Sequence, residues 1–100
     1  MLIRGTTPTI RFAFSEVNPL EMTEAYLTVQ QRRIRIEKTI ADASVSEDAL
    51  EWELTQEDTL LLEENRPANV QCRYKFASGA VGASQIYEEP VYGILKEGEI

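Results

Sequence analysis

The sequence predicts an all-β protein, a small antiparallel β-sandwich of immunoglobulin-like shape with about seven strands and one short helical crossover. The clearest sign lies in the run Arg66–Ala77, where Val70, Cys72, Tyr74 and Phe76 alternate with polar side chains. Successive side chains of a strand point to opposite faces, so this run is a strand with one buried side. Turn residues recur about every 8–12 positions, as in small sandwiches. A length of 100 residues predicts a single domain, 1–100.

The composition argues against several classes of function. The formal net charge of −7 disfavours a nucleic-acid partner or an anionic membrane surface, since both need a basic protein face. The chain has no histidine, which removes Ser-His-Asp catalysis and histidine metal sites. We therefore expect no enzyme activity, no cofactor and no metal. A single cysteine, Cys72, and the absence of a signal-peptide pattern in MLIRGTTPT predict a cytoplasmic protein.

The first half of the chain predicts three strands, each with an apolar side chain at every second position. The last two strands abut with no glycine between them. They form either a hairpin with a tight turn near Gln31-Arg32 or one long bent strand. The connections Ser15–Thr23 and Thr39–Glu47 are predicted as polar loops, with Leu20 and Met22 tucked under a sheet edge. The three predicted strands are Thr7–Phe14, Glu24–Gln31 and Arg32–Lys38.

The second half begins with a strand over Asp48–Leu54 that carries Trp52 on its inner face, as a core side chain. The alternation of apolar and polar side chains ends at Thr55, which is a predicted N-cap for a short helix over Gln56–Leu62. This helix closes one end of the core and crosses to the central strand. A turn at Ser78-Gly79 leads back along a returning strand. That strand spans Gly82–Glu89, is interrupted at Pro90 and continues over Val91–Lys96.

Opposite charges occupy different parts of the sequence. Residues 47–64 hold eight acidic residues and no basic one, whereas the predicted edge strand Arg32–Lys38 is rich in arginine. These charges are either solvated faces of a monomer or complementary surfaces for self-association. In the second case the basic edge of one copy meets the acidic face of the next, which builds rings or filaments. The candidate interaction residues are Arg32, Arg33, Arg35, Lys38, Glu51, Glu53, Glu57 and Asp58.

Other groupings are weaker candidates for a site. The adjacent pair Glu88 and Glu89 would point to opposite faces of a strand, so the two carboxylates would not converge. Cys72 lies on the predicted inner face and is interpreted as an inert apolar residue. An aromatic platform for sugars would need at least two tyrosines on one exposed face. That alternative, a small carbohydrate- or surface-ligand-binding module, rests on Tyr26, Tyr87 and Tyr92.

Three segments resemble small proteins encoded among the tail and structural genes of bacteriophages and prophages of Gram-positive bacteria. These segments are RGTTPTIRFAF, LTQEDTLLL and VYGILKEGEI, and together they span nearly the whole chain. The chain is also loosely similar to the N-terminal β-sandwich of phage baseplate upper proteins. It ends at Ile100, without the receptor-facing extension of the baseplate protein, so a direct role in host binding is not expected.

The resemblance implies a non-enzymatic structural protein of a phage tail or baseplate, and it supplies no functional residues. Such a protein would form homo-oligomers or assemble with other phage structural proteins. It would be found in the cytoplasm of the bacterial host during assembly and then in the virion. We expect the run Arg32–Lys38 and the acidic stretch Glu51–Glu64 to carry the protein contacts.

Overall fold

Ten β-strands and one short α-helix make up the structure, a computed structural model that describes residues 1–100. Two single turns of 3-10 helix, Pro19–Glu21 and Ile40–Asp42, lie in the connections. None of the helices has the length and apolar content that crossing a membrane requires. In chain order the elements are β1 (Leu2–Ile3), β2 (Thr9–Ala13), β3 (Met22–Gln31), β4 (Ile34–Thr39), β5 (Ala43–Val45), β6 (Ala49–Glu53), α1 (Gln56–Leu60), β7 (Ala68–Phe76), β8 (Val81–Ala83), β9 (Tyr87–Glu89) and β10 (Val91–Tyr92).

The strands form two antiparallel sheets and one parallel pair. Sheet I has the order β2-β6-β5, and sheet II has the order β4-β3-β7, with β8 and β9 both paired to the free side of β7. The parallel pair joins β1 to β10. In an immunoglobulin sandwich one sheet contains strands B, E and D, and the other contains strands C′, C, F and G. Strands β2, β6 and β5 correspond to B, E and D, and β4, β3 and β7 correspond to C′, C and F. Strands β8 and β9 together take the place of G. The predicted immunoglobulin-like sandwich is therefore confirmed, but no strand occupies the place of A beside β2.

The core lies between the two sheets. Leu50 and Trp52 of sheet I and Leu27, Val29 and Cys72 of sheet II all have no exposed surface. The Trp52 ring meets Phe12 edge-on, with 6.1 Å between the ring centroids, and the Trp52 Nε1 group donates a 2.9 Å hydrogen bond to the Thr39 carbonyl oxygen. Trp52 is a core side chain, as predicted.

Strands β3 and β4 form a hairpin, which excludes the single bent strand. Gln31 pairs with Ile34, so Arg32 and Arg33 make a two-residue turn. Arg32 has a φ of 55°, in the left-handed region that such turns require and that costs a non-glycine residue about 1 kcal/mol. Strand β4 is the edge of sheet II, as its charges predict.

The short helix begins where the sequence predicts. The Thr55 Oγ1 atom accepts a 3.0 Å hydrogen bond from the Asp58 backbone N–H, and the Asp58 carboxylate accepts a 2.9 Å bond from the Thr55 N–H. This reciprocal capping satisfies two backbone donors that have no partner within the helix. Helix α1 ends at Leu60 rather than at the predicted Leu62, although Leu62 is buried.

Other details of the prediction are also wrong. The connection Thr39–Glu47 contains β5, a short edge strand paired with β6, because Ala43 and Val45 can pack against the core. Leu20 is exposed, since the preceding Pro19 takes the inward position of its 3-10 turn. The predicted strand Val91–Lys96 pairs only as far as Tyr92, the last residue of β10.

The predicted returning strand is split at Ser84, where a side-chain hydrogen bond takes the place of one backbone hydrogen bond to β7. The Ser84 N–H donates to the Cys72 carbonyl oxygen at 2.8 Å, and the Ser84 Oγ atom accepts from the Cys72 N–H at 3.0 Å. A side-chain oxygen therefore stands in for a backbone carbonyl at this point. The chain leaves the regular pairing between β8 and β9 without leaving a buried donor unsatisfied.

Candidate functional site

Only some of the predicted basic and acidic residues, Arg35 on one side and Glu51 and Glu53 on the other, lie on opposite sides of the sandwich. Arg35 projects from the outer face of sheet II, because the inner positions of β4 belong to Ile34 and Ile36. Glu51 and Glu53 project from the outer face of sheet I, because Leu50 and Trp52 take the inner positions of β6. The core thus separates Arg35 from Glu51 and Glu53.

The outer face of sheet II holds a shallow polar depression of about 600 Å³. Arg32, Arg35, Arg73 and Glu37 line it, and the Glu24 carboxylate borders it through a hydrogen bond from Tyr26. We call the lining of this depression the basic face. Its remaining residues are Tyr26, Thr28, Gln30, Asn69, Gln71 and Ile86. Arg33, in the turn, is exposed and makes no ion pair.

The outer face of sheet I is acidic. We call Glu51 and Glu53 of β6, with Asp48 just before that strand, the acidic face. Arg11 is the basic residue among them, and its guanidinium nitrogens lie 3.9 Å from Asp48 Oδ1 and 4.0 Å from Glu51 Oε1. These exposed, long ion pairs contribute little to stability. Glu53 is exposed and makes no ion pair, so its charge faces solvent.

Some of the predicted interaction residues are engaged within the chain. The Lys38 Nζ atom lies 2.8 Å from Asp58 Oδ2, with both side chains largely buried. Burial by itself would raise the pKa of Asp58, but the hydrogen bonds from Lys38 and Thr55 outweigh it and hold the pKa below its ordinary value of 3.8. Lys38 and Asp58 therefore bind each other rather than standing free. Helix α1 leaves Glu57 exposed and without an ion pair.

The arginine at the hairpin turn also has a partner in its own chain. Arg32 Nη1 lies 3.8 Å from Glu63 Oε2, and Arg66 Nε lies 3.5 Å from the same atom. All three side chains are at least half exposed, so the cluster is screened by water and salt. It leaves the side chain of Arg32 able to reach a charged partner outside the chain.

The three tyrosines of the alternative site do not form a platform. Tyr26 lies on the basic face, where its hydroxyl donates a 2.8 Å hydrogen bond to Glu24 Oε1 and the pKa of Tyr26 is raised by that bond. Tyr87 lies against Phe12, between the sheets, and Tyr92 lies on β10. No exposed face brings two of them together.

The structure contains a further surface that the sequence does not predict, an apolar cleft of about 700 Å³ along β2. Every residue from Pro8 to Phe14 lines one side of it. Val70, Tyr74 and Tyr87 of sheet II line the other side. We call this space the β2 cleft. It exists because no strand pairs with the outer edge of β2, a relationship that local sequence patterns do not reveal.

The open edge of β2 carries backbone groups that no part of the chain uses. The Leu54 N–H donates to the Pro8 carbonyl oxygen at 2.9 Å, and the Phe14 N–H donates to the Asp48 carbonyl oxygen at 2.8 Å. Hydrogen-bonding direction alternates along an antiparallel strand. The N–H and C=O groups of Thr9, Arg11 and Ala13 therefore point away from β6, towards the cleft.

A comparison of the chain with models of known families, with curated proteins and with solved structures gives no match.

Proposed function

We propose that this chain is a phage-derived structural or assembly protein, a component of a tail or baseplate, that acts through protein–protein contacts and forms homo-oligomers. The observation that carries the proposal is the placement of opposite charges on opposite outer faces of one small sandwich. The resemblance of three segments to phage structural proteins points in the same direction. The partners are further copies of the chain, other phage structural proteins, or both.

Opposite faces of unlike charge favour head-to-tail contacts. The basic face of one copy, with Arg35 and Arg73, meets the acidic face of the next, with Glu53. A contact between two different surfaces leaves one of each free, so it continues into a ring or a filament. Complementary charge in such a contact mainly sets orientation and association rate, and salt weakens it.

The proposal is tested by reversing one charge on the basic face. Arg35 is exposed, and its ion pair with Glu37 has a long N···O distance of 3.7 Å, so Arg35→Glu is expected to fold normally. It should reduce the oligomer mass measured by light scattering at low salt. Lys96→Glu is the matched control, because it changes the net charge equally at a residue of the C-terminal segment outside both faces.

A complementary variant separates a specific contact from a general effect of charge. Glu53→Arg reverses the acidic face and should also dissociate the oligomer. Mixing it with Arg35→Glu should restore assembly, because each variant keeps one native face and the two altered faces again carry opposite charges. If the mixture stays monomeric, or if Lys96→Glu dissociates the protein as much as Arg35→Glu does, the head-to-tail proposal is wrong.

A further inference from the structure

The β2 cleft has the form of a place for one missing strand. Sheet II is one strand wider than sheet I on this side, since β9 lies beyond β7 while nothing lies beyond β2. The Phe14 and Tyr74 rings, with centroids 5.3 Å apart, place β2 over β7. The strip of sheet II beyond β7 is therefore left without a strand above it, and Tyr87 on that strip is 44% exposed.

The cleft offers both kinds of contact that a strand needs. Thr9, Arg11 and Ala13 present unpaired N–H and C=O groups along its upper edge. Tyr74 and Tyr87 present apolar surface on the opposite side, on sheet II. The backbone of an added strand would pair with the N–H and C=O groups of Thr9, Arg11 and Ala13. Every second side chain of that strand would pack on the apolar surface of sheet II. Proteins use such β-augmentation to bind extended segments, in which the backbone provides affinity and alternate side chains provide specificity.

The extra strands of sheet II disfavour antiparallel pairing with the β2 edge of a second copy. Two sandwiches paired in this way would bring their wider sheets into the same space, because each carries β8 and β9 beyond its own β2. Only an isolated extended segment fits beside one strand at the ordinary spacing of about 4.8 Å. The occupant is therefore a single strand rather than the edge of a folded sandwich.

The free segments of this chain do not have the required pattern. Leu2 and Ile3 are already paired in β1. In the C-terminal segment, a strand with Leu95 inward would bury Glu97 and Glu99, and the opposite phase would bury Lys96. Burying an unpaired charge is strongly unfavourable. These segments of a second copy therefore supply no suitable strand.

We propose that the β2 cleft binds an extended segment of a partner protein, which completes sheet I as an added strand beside β2. The segment is about seven residues long, matching Pro8–Phe14. It has apolar side chains at every second position, facing Tyr74 and Tyr87. It carries a carboxylate opposite Arg11, whose guanidinium is half exposed on the outer face. This contact is made mainly by the backbone edge and inner side of β2 and meets the acidic face only at Arg11, so its test by peptide binding is separate from that of head-to-tail assembly.

The test is amide hydrogen exchange by NMR with a synthetic peptide of that length, in which valine alternates with threonine and the central polar position is glutamate. The peptide should bind at or below about 1 mM. Exchange of the amides of Thr9, Arg11 and Ala13 should then slow by roughly tenfold or more. The amides of Ile10, Phe12 and Phe14, which already face β6, should change little.

Several results would overturn this proposal. They are the absence of binding, equal binding of a peptide of the same composition with its valines contiguous, and protection of amides elsewhere than β2. Protection of the Thr9, Arg11 and Ala13 amides without peptide, rising with protein concentration, would assign the cleft to a second copy instead. Light scattering on the same samples shows separately whether head-to-tail assembly occurs.

A pair of variants at Ala13 provides a second test. Ala13→Pro removes an N–H that points to the cleft and not to β6, and edge strands tolerate proline at such positions. It should abolish protection by the peptide, whereas Ala13→Val, which keeps the N–H, should preserve it. Unchanged peptide binding by folded Ala13→Pro would contradict the proposal. If Ala13→Pro does not fold, the amide exchange of the wild-type protein with and without peptide remains the test.

Discussion

Lys38 Nζ lies 2.8 Å from Asp58 Oδ2 and joins the end of β4, in sheet II, to the first turn of α1. Asp58 also accepts the Thr55 N–H, so a single carboxylate caps the helix and holds the sheet edge. The side chains of Lys38 and Asp58 are only 22% and 15% exposed, which makes this ion pair less screened than the others in the chain. It fixes the crossover between the two sheets.

Replacing Asp58 should therefore lower the free energy of unfolding. Asp58→Ala removes the cap and the ion pair and should cost about 1–2 kcal/mol at neutral pH. Asp58→Asn keeps an acceptor oxygen but loses the charge, so it should cost less than Asp58→Ala. Urea unfolding followed by far-UV circular dichroism measures both. Glu57→Gln, at an exposed neighbour without an ion pair, is the control and should change stability by less than about 0.5 kcal/mol.

The same carboxyl group should make stability depend on acid pH. The pKa of Asp58 in the folded protein lies below 3.8, its ordinary value. A depressed pKa contributes stability that is fully present above 3.8 and is lost as the pH falls through the folded value. The stability difference between wild type and Asp58→Asn should thus be constant near neutrality and shrink below 3.8. A difference that grows on acidification would contradict this assignment.

Gln31 holds the connection after α1 by a buried hydrogen-bond network. Its Oε1 atom accepts from the Glu63 N–H at 2.6 Å, and its Nε2 group donates to the carbonyl oxygens of Glu63 at 2.8 Å and Arg66 at 2.9 Å. Gln31→Met would leave these backbone groups without partners and should cost about 2–3 kcal/mol. Gln30→Met, on the exposed side of the same strand, is the matched control, and equal losses for the two variants would refute the role of the network.

Trp52 should be the side chain whose truncation costs most. It is fully buried, packs against Phe12 and donates to the Thr39 carbonyl oxygen. Trp52→Ala is expected to lower the free energy of unfolding by about 3–5 kcal/mol. Trp52→Phe, which keeps a ring but loses the N–H, should cost less. Because both variants lack the only tryptophan, circular dichroism rather than fluorescence must follow unfolding; a loss below about 1 kcal/mol for Trp52→Ala would contradict the assigned packing.

Cys72 should be unreactive while the protein is folded. It has no exposed surface, and burial raises the pKa of its thiol from 9.0 to about 12. Since the thiolate is the reactive form, iodoacetamide at pH 8 should label the folded protein only as fast as the protein unfolds. The denatured protein is the control and should react rapidly. Rapid stoichiometric labelling of folded protein would place Cys72 outside the core.

The strand phases could be predicted from the sequence because a period of two directly reports which side of a strand is buried. The inward positions of Leu27, Val29, Leu50 and Trp52 follow from that rule alone. The Thr55 cap has a similarly local signature. Strand β5 escaped prediction because its three residues are too few to establish a period, and serine and aspartate beside it favour turns.

The pairing of charges and the β2 cleft depend on tertiary structure. Lys38 and Asp58 lie on different elements, so composition could assign each a charge but not a partner. The period of two places Gln31 on the same side of β3 as Leu27 and Val29, but its hydrogen-bond partners at Glu63 and Arg66 are distant in the sequence and have no local sign. The cleft arises from the number of strands in each sheet. These three features therefore required the fold before they could be recognised.

The most direct test of head-to-tail assembly is the solution mass of the wild-type protein by light scattering at low and at high salt. The basic and acidic faces predict an oligomer at low salt whose mass falls towards that of one chain as salt rises, because the complementary charges are screened. A protein that is monomeric at both salt concentrations, or an oligomer whose mass does not respond to salt, would contradict the proposed contact between these faces.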